Sequence, residues 1–374
     1  MGGSGASRGT GLIRRRAWLI GALLLLGCGQ KAITPPETWQ AVTIPTDAIF
    51  DGIFFTDSLN GWMTGGNYQI PGGIVGRTRD GGRTWRFMSG VVPGKGAGFA
   101  LGASQFRDTL NGLALGSEGR VLVTADGGVS WTPADGSRGS MLSDLRFLDA
   151  WNGWAVGPST LLRTSDGGES WSSVMADDDY FSGNAIQFLD DSHGWVVSHG
   201  GELKSTSDGG RTWTKVALPL AKDERPTLWD VTFTDPAQGW VVGEQGVIFH
   251  TDDGGAIWTR QSQGVPIVRV IPKGEPPRPR EVVRELEVPP DPLTLTAVRF
   301  LDRQRGYAVG SYNDVGESVV IATRDGGATW KVQRVEPGEL LRTLFLLDSA
   351  HAWAAGDRAR TMPQVVLRYT GADR

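Results

Sequence analysis

The sequence predicts an all-β fold: a seven-bladed β-propeller of four-stranded blades, closed by an N-terminal strand that pairs into the last blade. Three observations lead there. The 374 residues include 54 Gly, 20 Pro and 15 Trp, a load that favours short strands and tight turns over helices. One unit recurs along most of the chain, and such self-similarity outranks any single motif. The last copy of that unit is incomplete, while a segment near residue 39 resembles the missing piece. Hydrophobic residues make up 39%, enough for a large core, so a disordered chain is excluded. No Gly-X-Y period runs through it, so collagen is excluded too.

The chain opens with an address. Arg14, Arg15 and Arg16 precede an apolar run of 11 residues, Ala17 to Gly27. A spanning helix needs roughly 20, so residues 1–27 read as a signal peptide. The run ends in Leu25-Leu26-Gly27-Cys28, which resembles a bacterial lipoprotein signal, with the sole cysteine at the position to be lipidated. Arg15-Arg16 also faintly resembles a twin-arginine export signal. Residues 28–37 then form a lipidated tether, and acyl chains on Cys28 would anchor the protein at about 0.8 kcal/mol per buried CH₂. The expected location is exported and membrane-anchored, on the periplasmic side or the cell surface. Removing residues 1–27 takes away four arginines and no acid, moving the formal charge from −4 to −8. Phosphate binding needs a basic face, so a nucleic-acid partner is disfavoured.

The propeller occupies 38–374. Its clearest element is Thr-x-Asp-Gly-Gly-x-x-Trp, in six copies from Thr78, Thr124, Thr164, Thr206, Thr251 and Thr323. These place Asp80, Asp126, Asp166, Asp208, Asp253 and Asp325 in the turns and Trp85, Trp131, Trp171, Trp213, Trp258 and Trp330 after them. Upstream of each stands a Gly-aromatic or Gly-apolar pair: Gly61-Trp62, Gly112-Leu113, Gly153-Trp154, Gly194-Trp195, Gly239-Trp240 and Gly306-Tyr307, with Ala352-Trp353 as an altered seventh. Before each pair lies an apolar strand ending in an acid, as in Leu145-Arg146-Phe147-Leu148-Asp149. Four short strands at this period are a propeller blade. The seventh unit stops after Val365–Tyr369 with no motif of its own, and Glu37 to Val42, with Trp39, supplies its fourth strand. Pairing the two ends removes the free sheet edges. Trp151 and Trp229 belong to no repeat.

In the motif, Asp accepts local N–H groups and Gly takes positive φ without steric cost. The Trp buries about 150–250 Å², and its indole N–H needs a partner that a neighbouring turn can supply. The glycine of each Gly-Trp pair is expected to let adjacent sheets approach. These repeated residues are structural, because one acid per blade converges on no reacting atom.

These motifs resemble the Asp box, or bacterial neuraminidase repeat, of sialidases, sortilin-type receptors and xyloglucanases. With Gly153-Trp154-Ala155-Val156-Gly157 and its counterparts, the full unit resembles the photosystem II stability/assembly factor family over nearly all of residues 38–370. The resemblance implies a seven-bladed propeller that acts as an assembly chaperone without catalysis, in bacteria sometimes as a lipoprotein. It also implies arginines on one face directed at the client. Leu113 and a long insertion after the fifth box depart from the pattern.

An enzyme reading lacks ingredients. A sialidase needs an arginine cluster, a Tyr nucleophile beside an acid, and an acid/base Asp. Tyr180 follows Asp177-Asp178-Asp179, the one run where acids cluster beside a tyrosine, and that run reads as a solvated loop between blades. His193, His199, His250 and His351 share no common position, so neither a metal site nor a cofactor is expected. Binding remains, at the channel mouth where inner strands converge. Inner-strand positions that vary between otherwise similar units mark Asp144, Asp230, Arg146 and Arg299 as candidates, and Arg107, Arg146, Arg299, Arg303, Arg305 and Arg342 are expected to form an arginine-bearing face across several blades. In the insertion, 265–292, two alternating segments flank a Pro-rich tip with Lys273, Arg278 and Arg280, suggesting an arm that touches acidic lipid or protein. The expected function is a monomeric, non-catalytic scaffold for a protein client, held at a membrane through Cys28. The alternative is a cell-surface carbohydrate-binding or sialidase-like propeller.

Overall fold

The computed structural model describes residues 38–67, 69–136, 141–174, 182–261, 293–312, 317–358 and 364–371. Cys28, Lys273, Arg278, Arg280 and the run Asp177–Tyr180 lie outside the described residues. No helix among the described residues is long and apolar enough to cross a membrane.

Strands form seven four-stranded antiparallel sheets. In blade 1 the order from the inside is Ile49–Phe55, Gly61–Gly66, Ile74–Thr78 and Arg86–Ser89. The other inner strands are Leu101–Phe106, Asp144–Phe147, Ala185–Phe188, Leu228–Phe233, Leu293–Phe300 and Glu339–Asp348, defining blades 2 to 7. Each inner strand packs against that of the next blade, and the seventh returns to the first. Closure follows the expectation: Thr38–Ile44 is the outer strand of blade 7, paired with Gln364–Thr370. Trp39 lies opposite Tyr369, the register a box Trp holds in other blades, and is 3% exposed. It meets Tyr307 of blade 6 edge-on at 5.8 Å and Tyr369 at 5.5 Å.

The contact between blades is one repeated sandwich. The Phe that ends an inner strand stacks on the Gly-Trp tryptophan of the preceding blade: Phe55 on Trp353 at 3.5 Å, Phe300 on Trp240 at 3.6 Å, Phe188 on Trp154 at 3.8 Å, and both Phe106 on Trp62 and Phe233 on Trp195 at 4.1 Å. The edge of the same Phe meets its own blade's box Trp at 5.8–6.2 Å. Edge-to-face and offset contacts of this kind add roughly 0.5–1.5 kcal/mol beyond area burial. Blade 2 breaks the series with Leu113, which packs in the same apolar cluster as Phe147 of blade 3.

The glycine of the Gly-Trp pair serves a different purpose from the one expected. A Cβ on Gly61 would come within 2.4 Å of the Phe55 ring, and Gly112, Gly153, Gly194, Gly239 and Gly306 meet the Phe of their own inner strand in the same way. Phe55 and Gly61 are cross-strand partners. The missing side chain therefore seats an aromatic ring within one blade rather than bringing two sheets together. Blade 7, with Ala352, pairs it with Leu346 instead of Phe.

Indole donors also find partners across blades. Trp353, Trp62 and Trp240 donate to the carbonyls of Gly81, Gly127 and Gly326, the first glycine of the next blade's box, at 2.9–3.0 Å. Five box tryptophans donate to the second glycine of their own turn, as Trp85 does to Gly82 at 3.2 Å, while the Trp330 indole N–H has no partner. Trp39, a box tryptophan without a box, has an indole N–H with no hydrogen-bond partner.

Within a box the Thr78 hydroxyl donates to Asp80 at 2.8 Å and accepts the Gly82 N–H at 2.9 Å, while Asp80 accepts the Thr84 N–H at 2.9 Å. Gly81 and Gly82 have φ of 73° and 83°, which only glycine takes without strain. Partial burial would raise Asp166, but the Ser170 hydroxyl and amide donate to it and hold it at about 2. Asp208 is lowered to about 2, chiefly by the Thr212 hydroxyl and amide.

Two predictions follow from closure and box chemistry. Trp39→Ala should cost about 3–5 kcal/mol by denaturant unfolding, as for other buried Trp truncations; a loss below about 1 kcal/mol would show that the first strand does not hold the ring. Carboxylates depressed in the fold stabilise it above their unfolded value near 4, and that contribution is lost as pH falls towards about 2. The doubly substituted Asp166→Asn, Asp208→Asn chain should therefore lose less stability between about pH 6 and about pH 3 than the unsubstituted chain.

Candidate binding site in the central channel

The seven inner strands enclose a channel whose wall is built from the positions that vary between blades. The mouth on the side where inner strands begin holds a cavity of about 830 Å³, lined among others by Asp51, Ser104, Asp144, Trp229, Thr294 and Arg342. A second cavity of about 200 Å³ lies towards the other end, against Phe147, Gln187, Phe188 and Thr232. Arg146 and Arg299 line both.

Those two arginines belong to an ionic bridge across the channel. Arg146 of blade 3 meets Asp144 of its own strand at 3.2 Å and Asp230 of blade 5 at 3.5 Å. Asp230 in turn accepts from the Arg299 guanidinium of blade 6. Blade 4 is spanned because it carries Ala185 at the position Asp144 and Asp230 occupy in their blades. Each carboxylate is also tied to backbone. Asp144 accepts the N–H of Leu145 at 2.9 Å and of Ile186, in the next blade, at 3.1 Å. Asp230 accepts from Val231 at 3.0 Å and from Val298, in the next blade, at 2.9 Å. The same side chain thus staples successive inner strands and neutralises the arginines. Burial, then the charge of Arg146, lowers Arg299, and Asp230 opposes both. Burial likewise disfavours charge on Arg146, but Asp144 and Asp230 outweigh it and raise the guanidinium.

Other varying positions serve the neighbouring blade. Gln187 accepts from the Phe233 N–H at 2.9 Å and donates to its carbonyl at 3.2 Å. Phe54 packs on Phe345 at 4.9 Å. Arg342 stands at the mouth between blades 7 and 1, 3.3 Å from Asp51 and 3.8 Å from Asp357, with its side chain 44% exposed. Burial raises Asp51 above the ordinary carboxylate range, against the pull of Arg342.

The six arginines do not share one face. Arg146, Arg299 and Arg342 line the channel cavity. Arg303 forks onto Asp235 of blade 5 at 2.8 and 3.1 Å, Arg305 folds back onto Asp302 at 2.7 Å, and the Arg107 guanidinium lies against the box glycine Gly167 of blade 3. These three follow the Phe that ends an inner strand and so sit in the turns at the opposite end. Sequence reasoning missed Trp229 and Met141, both in the cavity wall, Met141 at 62% exposure. The available signal was that Trp229 belongs to no repeat. Among the described residues no group of three or more His, Cys, Asp or Glu side chains could hold a metal ion.

The Photosynthesis system II assembly factor YCF48 model matches overlapping stretches, 99–181, 135–219 and 182–268. The chain resembles the photosystem II assembly factors. It is 33% identical over 89 residues to the photosystem II assembly lipoprotein Ycf48 of Synechococcus sp. (strain CC9902), covering 23% of this chain and 26% of that protein. To the Ycf48 lipoprotein of Parasynechococcus marenigrum (strain WH8102) it is 26% identical over 251 residues, 54% of this chain and 73% of the relative. The alignable part is thus about a quarter of the first relative's length and nearly three quarters of the second's. A solved structure of YCF48 bound to a D1 peptide superposes with a TM-score of 0.64 at 18% identity, covering 89% of this chain and 95% of that one, which establishes the shared fold. The Synechococcus and Parasynechococcus relatives are both named as assembly lipoproteins.

Removing the central carboxylate tests the bridge. Asp230→Asn keeps the volume but leaves two guanidiniums facing each other, and should cost about 3–5 kcal/mol by chemical denaturation. Adding Arg299→Met should restore part of that loss, since an apolar replacement removes the stranded charge. No recovery would mean that Asp230 acts through its backbone bonds alone.

Proposed function

We propose that this protein is an exported, lipid-anchored propeller that holds a protein client at the mouth of its central channel and acts as an assembly factor without catalysis of its own. The observation that carries this reading is the 830 Å³ mouth, where side chains that no repeat dictates gather on an otherwise repeated frame. A cavity of that size takes several residues of an extended segment. Arg342, half-exposed between two acids, can exchange Asp51 or Asp357 for a carboxylate of the client, and Trp229, Met141 and Leu340 offer apolar surface elsewhere in the same cavity wall. The bridged arginines behind them form the floor. Relatives that carry the name assembly lipoprotein, and the relative seen with a D1 peptide, support a peptide-like client and the lipid anchor on Cys28. In this reading residues 1–27 are removed on export, residues 28–37 tether a monomeric ring, and Lys273, Arg278 and Arg280 extend the contact surface.

Two measurements check it. Full-length protein should bind a synthetic D1-derived peptide, and Arg342→Glu should weaken binding at least about tenfold, roughly 1.4 kcal/mol; equal binding by both would remove the mouth from the reading. Cys28→Ala should move the protein from the membrane to the soluble fraction, and continued membrane retention would remove the anchor.

A further inference from the structure

The face opposite the candidate site carries an apolar decoration that neither the repeats nor the client site explains. Six large hydrophobic side chains among the described residues are more than half exposed. Met141 lines the channel cavity, but the other five, Leu59, Leu110, Val129, Trp151 and Ile257, all sit in turns at the opposite face. Leu59, Leu110 and Trp151 hold one equivalent position, the turn after the inner strand, in three consecutive blades, at 51%, 52% and 60% exposure. The same position holds Ser192, Ala237, Gln304 and Ala350 in the other four blades. Their backbone is already used: the carbonyls of Leu59, Leu110 and Trp151 accept the N–H of Gly81, Gly127 and Gly167 in the box turn of the same blade at 2.8–2.9 Å. Their N–H groups are capped by Asp57, Asp108 and Asp149 at 2.7–2.8 Å. The side chains make no comparable demand on the fold. Val129 projects from the box turn of blade 2 within the same sector, and Ile257 from the box turn of blade 5.

The chain enters the ring on this same face. Thr38 pairs with Thr370, which pairs with His351 at the start of the second strand of blade 7, and Gly371 donates to Ala350 in the turn beside it. Nine residues separate Cys28 from Thr38, at most about 35 Å of extended chain. We infer that this face docks flat on the lipid bilayer, with Leu59, Leu110, Val129 and Trp151 entering the interfacial layer and the channel mouth turned away towards the client. The inference rests on the lipid anchor proposed above. An indole is suited to that layer, being apolar with one polar edge. A tethered ring meets the surface at high effective concentration, so a few shallow insertions are enough. In blades 1 to 3 the turns on this face hold Asp57, Asp80, Asp108, Asp126, Asp149, Asp166 and Glu169 against Arg79, Arg83 and Arg107, so the sector is net acidic and insertion is apolar and not a polybasic attraction. Neutral, zwitterionic lipid is therefore preferred.

The test uses the full lipidated chain. Cys28 is the only cysteine, and lipidation consumes its thiol, so Trp151→Cys, Leu110→Cys or Leu59→Cys each supplies one site for a polarity-sensitive fluorophore. Ser117→Cys, at the channel mouth, is the control. On phosphatidylcholine vesicles the three labels should shift to the blue and resist quenching by aqueous iodide, while the label at 117 should not. Added phosphatidylglycerol should weaken the shift. Flotation of the same vesicles reports anchoring separately. Protein that floats with labels still in water overturns the docking and leaves the anchor standing, and protein that fails to float overturns both. Labels that stay in water on bare vesicles but shift on native host membranes would assign the face to a protein partner and overturn lipid docking.

Discussion

The ring depends first on how one phenylalanine is held at six of its seven junctions, the exception being blade 7, where Leu346 takes its place. Its ring covers a cross-strand glycine of its own blade, stacks on a tryptophan of the preceding blade and takes the edge of its own box tryptophan. One residue thereby couples the tilt of a blade to that of its neighbour. Because the contact is planar and close, at 3.5–4.1 Å where Trp is present, it admits little variation in the angle between sheets. Five such stacks, with Leu113 and Leu346 filling the remaining two junctions, bring the last blade back to the first. At three junctions an indole bond to the next box turn fixes the height of one blade against the next as the stack fixes its tilt.

A frame held from its rim inward leaves the inner strands free to differ. Fixed by the sandwiches behind them, these strands carry Asp, Ala, Gly or Thr at one position and Arg, Gln, Thr or Phe two residues on. Two acids and two arginines use that freedom to bridge three blades, and the bridge divides the channel into two cavities. A charged bridge so placed is held by both ends: the carboxylates are satisfied by backbone N–H groups of the next blade, so the guanidiniums meet acids that cannot turn away. The functional consequence is a mouth with a rigid floor and an adjustable rim, where Arg342 and Asp51 remain in contact with water.

The two faces of the disc are consequently unlike. One gathers strand starts and channel-lining side chains. The other gathers turns in which the backbone N–H and carbonyl of Leu59, Leu110 and Trp151 are bonded within the blade, leaving their side chains at the surface. These three belong to consecutive blades. The entry of the chain on this second face agrees with the proposed polarity, in which the anchor lies on one side and the client on the other.

Much of this was readable from residue order. Six boxes and seven Gly-aromatic or related pairs state the number of blades, and an unfinished last unit with Trp39 at the opposite end states how the ring closes. Box geometry was readable too, because its hydrogen bonds link residues two to four apart. The role of the Gly-Trp glycine was not, since the Phe it accommodates lies across a strand pair and only the register identifies it. Nor was the division of the six arginines: Arg146 precedes the Phe that ends its strand while Arg107 follows its own, and those two positions carry a side chain from channel wall to opposite face. The Asp144–Arg146–Asp230–Arg299 bridge joins residues up to 155 positions apart, and no local pattern marks it. Sequence by itself determined the unit, its count and its closure, because those are set by contacts within and between repeats of one kind. Tertiary structure alone decided which non-repeating side chains meet, because that depends on the curvature that brings separate inner strands to a common axis.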